Sequence, residues 1–78
     1  MAIWSEIRSE YQDENDKGQT IIHIDGWLTE DENEDGLTIA KVNAETLEVE
    51  YIDRRAKSDK YAQEMINEVL TDLKSVNI

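Results

Sequence analysis

Seventy-eight residues without a cysteine or a proline make one small domain that must hold together without disulfides or thiolate-bound metal. Nineteen acids against eight bases leave a net charge of −11, a field that repels phosphate backbones and anionic membranes and attracts cations or basic protein surfaces. The charge is uneven: residues 1–36 hold eleven acids against Arg8 and Lys17, a balance of −9, and residues 37–78 hold eight acids against six bases, a balance of −2.

No run approaches the roughly 18 consecutive apolar residues of a membrane span. The opening MAIWSEIRSEY has neither the basic start nor the apolar centre of a signal peptide. With the lack of cysteine, this sets the expectation of a cytoplasmic protein. The apolar residues fall in patterned runs, which argues for a single folded domain over 1–78 rather than disorder.

In chain order, Ile3, Trp4, Ile7 and Tyr11 recur at helical spacings and predict a short amphipathic helix over 2–11. QDENDKG (12–18) reads as a polar turn. TIIHIDGWLT predicts a strand over about 20–29, with Gly26 marking a bulge or a close backbone approach. A tight hairpin at Asp25-Gly26 is the alternative, but it would leave two very short strands. LTIAKVN (37–43) and LEVEYID (47–53) predict two further strands joined through Ala44, Glu45 and Thr46. In the last strand Leu47, Val49 and Tyr51 alternate with Glu48 and Glu50, a buried face and a wet one. Ala62, Met65, Ile66, Val69, Leu70, Leu73 and Val76 form a helical stripe within Ser58–Val76, with Ser58 as N-cap and Asp59 in the first turn. The expected fold is therefore α+β, in the order α-β-β-β-α: a short N-terminal helix, a three-stranded antiparallel meander, and a C-terminal amphipathic helix packed on one sheet face.

DENDKGQTI (13–21) and DENEDGLTI (31–39) echo each other at six of nine positions. The following residues do not match, so the echo reads as two similar acidic turns, each launching a strand. The second turn begins like a calcium loop, with Asp31, Asn33, Asp35 and Gly36 at positions 1, 3, 5 and 6. Position 12 falls on Val42, which has no oxygen to offer, and the flanks read as strand. That removes an EF-hand and leaves only a loose cation turn using Asp31, Asn33 and Asp35.

The same stretch puts Glu30, Asp31, Glu32, Glu34 and Asp35 within six residues, an acidic tip able to dock on a basic protein groove. Trp27, on the strand face opposite Ile22, Ile24 and Leu28, needs an N-terminal helix or a partner chain to bury it, and a homodimer would serve. Arg54, Arg55, Lys57 and Lys60 cluster before the last helix, where bases and free N–H groups grip phosphate. Helix, three strands and helix in this order, with bases leading into the last helix, is similar to double-stranded RNA-binding domains. The net charge and the missing glycine-proline-x-histidine turn speak against that role. His23 is the only histidine, and its spacing from Asp25 allows proton shuttling, but no motif supplies a nucleophile, a phosphate loop or a dinucleotide site. The sequence thus leads to a small acidic, non-enzymatic binding or regulatory protein without a cofactor. Its partner would be another protein with a basic surface, with the cation turn and the nucleic-acid module as alternatives.

Overall fold

The computed structural model describes residues 4–28 and 36–76. Its elements are β1 (Trp4–Arg8), β2 (Gln12–Glu14), β3 (Thr20–Leu28), β4 (Leu37–Asn43), β5 (Val49–Tyr51), α1 (Arg54–Ser58) and α2 (Lys60–Val76). All strands join one antiparallel sheet in the order β1-β3-β4-β5, and β2 lies beside β1 on the same side of β3. β1 pairs with Asp25–Leu28 and β2 with Thr20–Ile22. Between them the Tyr11 carbonyl accepts the His23 N–H at 2.8 Å.

This overturns the predicted N-terminal helix and three-stranded meander. The domain is a five-stranded antiparallel sheet with a C-terminal helix, a β-rich α+β fold. The reason lies in one residue. Along β1 the register steps from Trp4↔Leu28 to Glu6↔Trp27, so Ser5 is a bulge. An extra residue puts positions 4 and 7 on the same face of a strand, and Trp4 and Ile7 are both buried. Their three-residue spacing, which imitates a helix, is a strand with a bulge in it. Tyr11, placed by the sequence on the same stripe, is exposed. Ile3 of the predicted helix lies outside the described residues.

β2 takes residues assigned to a polar turn. Its three side chains are all exposed, so no apolar alternation announces it. The turn itself is shorter. The Asn15 side-chain oxygen accepts the N–H groups of Lys17 and Gln19, and Gly18 adopts φ +73°.

β3 and β4 follow the predicted strands closely. Gly26 sits within a continuous β3, and a Cβ there would stand 2.8 Å from the Trp4 ring. Close packing of an indole on the backbone explains this glycine. β5 is shorter than the predicted 47–53: Leu47 turns at φ +66°, ending the hairpin before the ladder begins, and Ile52 and Asp53 leave β5 to donate to the Ile39 carbonyl. Ile39 is itself an extra residue on β4, where Ile24 and Asp25 face Ala40 and Thr38.

Cross-strand partners share a face, so Ile22, Ile24, Ala40, Val42, Val49 and Tyr51 line one side of the sheet with Trp4 and Ile7. The helices pack against this side through Ala56, Ala62, Ile66 and Val69, and Met65, Leu70 and Leu73 fill its margins. Ile24, Ile39, Ile66 and Val42 are the largest fully enclosed side chains, each contributing about 1.5–3 kcal/mol by leaving water. Gln63 ties the layers: its amide donates to the Tyr51 hydroxyl at 2.9 Å and to the Ala56 carbonyl at 3.1 Å. The N-cap of α2 is Asp59, whose carboxylate accepts the Ala62 N–H at 3.0 Å, and not Ser58, which ends α1.

Candidate functional site

Among the described residues, no helix covers the other sheet face. Register puts Ile21, His23, Asp25 and Trp27 of β3 on it, together with Glu6 and Arg8 of β1, Asp13 of β2, Thr38 and Lys41 of β4, and Glu50 of β5. At one end of this face a shallow depression of about 340 Å³ is bordered by the carboxylates of Asp13, Glu14, Glu48 and Glu50, with Lys41 as its single cation. Strand alternation puts Asp13 of β2 and Glu50 of β5 on this face; Glu48 lies just before β5, and Glu14, opposite Thr20, follows Asp13 at the sheet edge.

Trp27 lies toward the other end. It is half-buried, with the Arg8 guanidinium 5.3 Å from the ring centroid and Gly36 against its edge, where a Cβ would stand 2.6 Å away. The sequence assigned its cover to an N-terminal helix or a partner. Among the described residues, Arg8 and Gly36 lie against its ring. Arg8 in turn donates to Glu6 at 2.8 Å, which holds its guanidinium charged and raises its pKa.

Between the two ends sits His23, only 7% exposed although it is on the uncovered face. The Tyr11 ring meets it edge-on at 4.6 Å. Its Nε2 lies 3.3 Å from an Asp13 oxygen, an ionic approach too poorly aligned to count as a hydrogen bond. Its Nδ1 lies 3.5 Å from the Thr38 hydroxyl, which donates to Asp25 at 3.0 Å. The expected His23–Asp25 pair is thus joined through Thr38. Since the Thr38 hydrogen goes to Asp25, His23 is not placed to take it as a base activating a nucleophile would.

The basic cluster is divided between two helices. Arg54, Arg55 and Lys57 lie on α1, and Lys60 opens α2. Arg55 grips Asp53 through two nitrogens, at 3.0 and 2.7 Å, and stacks 5.2 Å from the Trp4 ring centroid. The Arg55 hydrogen bonds hold the Asp53 carboxyl below the usual carboxylate range, against a smaller opposing effect of burial. Both helix starts already carry a carboxylate, Asp53 on the Arg55 N–H and Asp59 on the Ala62 N–H. Arg54, Lys57 and Lys60 are exposed, and a carboxylate already takes one backbone donor at each helix start.

The acidic tip of Glu30, Asp31, Glu32, Glu34 and Asp35, and the cation turn of Asp31, Asn33 and Asp35, lie outside the described residues. Among the described residues, no group of three or more histidine, aspartate or glutamate side chains is placed to hold a metal, and no helix is long and apolar enough to cross a membrane. Sequence reasoning missed the depression and the environment of His23. Glu48 and Glu50 were legible as the wet side of a strand, but their meeting with Asp13 required knowing that β2 exists. Comparisons with protein-family models, curated proteins and solved structures found no match.

Proposed function

We propose that the chain is a small non-enzymatic binding protein that engages the basic surface of another protein through the uncovered face of its sheet. The observation that supports it is the depression that Asp13, Glu14, Glu48 and Glu50 line together with Lys41. A net charge of −11 adds long-range attraction for a basic partner, which raises the association rate and makes it salt-sensitive. The acidic run 30–35 belongs to the same reading, as a second contact for the same partner. A cytoplasmic setting, expected from the cysteine-free composition, is part of the proposal.

The test uses a lysine-rich model peptide titrated against Trp27 fluorescence, with a triple variant Glu14→Lys, Glu48→Lys, Glu50→Lys. The control reverses three exposed acids of the opposite layer, Glu64, Glu68 and Asp72. Both triples change the net charge equally. The sheet-face triple is expected to weaken binding about tenfold more than the helix triple and to lower its salt dependence. Equal weakening by the two triples would reduce the attraction to bulk charge and end the proposal.

A further inference from the structure

His23 faces two oxygens, and the hydrogen count around it is decisive. The Asp13 carboxylate has only lone pairs to offer, 3.3 Å from Nε2. The Thr38 hydroxyl, 3.5 Å from Nδ1, has already given its one hydrogen to Asp25. Each neutral tautomer therefore turns a bare nitrogen lone pair toward an oxygen lone pair: Nε2 toward Asp13, or Nδ1 toward Thr38. Only the imidazolium carries a hydrogen on both nitrogens, so only it sets a positive charge 3.3 Å from the Asp13 carboxylate while offering a donor to Thr38. A nitrogen that is buried and lacks an aligned partner in the resting geometry is what an unfilled proton site looks like.

We propose that His23 is a proton-operated latch for the edge strand β2. Charged, the ring draws in the Asp13 carboxylate and presses β2 against β3; neutral, it releases that hold. The elements around the ring supply opposing charges. Asp13 of β2, Asp25 of β3 and, two strands away, Glu50 of β5 bring negative charge to this face, and Lys41 of β4, directly across the ladder, and Arg8 of β1 bring positive charge. Asp13 is the nearest of these to the ring. β2 is suited to be the moving part: it has three residues, all exposed, and it is held from one side. Its release would bare the backbone of Thr20–Ile22 and withdraw Asp13 and Glu14 from the depression. The hold is present where the ring is charged and is lost where it is neutral.

The latch does not depend on any partner, so its test needs only the protein. Amide hydrogen exchange is followed between pH 5 and 8, corrected for the intrinsic rate, at the His23 amide that donates to Tyr11 and at Asp13 in the β2 ladder. Ile24 and Val42 serve as core references. Protection at His23 and Asp13 is expected to fall by up to about fivefold as pH rises, the range of a partly exposed ion pair, while the references stay level. Asp13→Asn, a change at a half-exposed edge residue, is expected to abolish the slope and leave the sheet intact, and ¹⁵N shifts of the ring report its protonation directly. A level profile in the wild type, a slope that survives Asp13→Asn, or a ring that stays neutral down to pH 5 in the folded protein would each overturn the latch.

Discussion

Asp53 accepts the Arg55 N–H at 2.9 Å and binds the same residue's guanidinium, so one carboxylate both caps α1 and fixes the cation that stacks on Trp4. Its lowered pKa sets the sign of the pH effect. The contribution is fully present above the ordinary aspartate value, about 3.9, and is lost as pH falls through the lower folded value. Asp53→Ala is expected to cost about 1 kcal/mol at neutral pH, and the gap to wild type should narrow as pH drops below about 4. Urea melts of both proteins at several pH values check this, and a gap that widens in acid would contradict it. Leu47 is the opposite kind of residue. Its φ of +66° costs a leucine about 1 kcal/mol, and it is held there by the Asn43 carbonyl accepting its N–H at 2.8 Å.

Two extra residues shape the elements. Ser5 and Ile39 each break the alternation of a strand, and each disguises it. The first spreads Trp4 and Ile7 to a helical spacing, which is why the N-terminal element reads wrongly. The second lets the adjacent Ile39 and Ala40 both be buried, within a strand whose apolar weight already makes it legible. α2 and the two central strands were readable because their apolar periods run unbroken; β2 was not, because an edge strand with three wet side chains carries no period at all. The His23 cluster failed for the same reason, since the partners that define it come from β2 and from a β4 register that Ile39 shifts. The bulge makes a direct prediction. Deleting Ser5 leaves Trp4, Glu6 and Ile7 in one regular register opposite Leu28, Trp27 and Gly26, so the protein is expected to fold with a loss of no more than about 1 kcal/mol, including the Ser5 hydroxyl bond to the Trp27 carbonyl. Deleting His23 from β3, a strand with no extra residue to absorb the loss, instead inverts one end of it and is expected to unfold the domain. Circular dichroism melts of the two deletions separate the outcomes, and equal damage from both would show that Ser5 is not an inserted residue in the energetic sense.

Across the whole molecule, nineteen acids against eight bases repel one another, and the described residues show only three ion contacts to set against that: Arg8–Glu6, His23–Asp13 and Arg55–Asp53. Repulsion therefore outweighs pairing. Raising sodium chloride from about 0.02 to 0.5 M, which shortens the Debye length to a few ångströms, is expected to raise the melting midpoint by at least about 3 °C. A flat or falling midpoint in calorimetry would mean that local pairs dominate. The charge excess was plain from composition; the pattern that makes it local, four carboxylates lining one depression with Lys41, came only with the strand order.

The split edge of the sheet has one more consequence. Along that side of β3 the outer backbone belongs first to β1, with its bulge at Ser5, and then to the three residues of β2; the far edge is the three-residue β5. A guest strand adds to a sheet by zipping main chain to main chain along a straight, regular border. The described borders are too short or too crooked to template one. Main-chain pairing with a guest strand is thereby closed to the described edges, and the native state is a poor seed for its own aggregation.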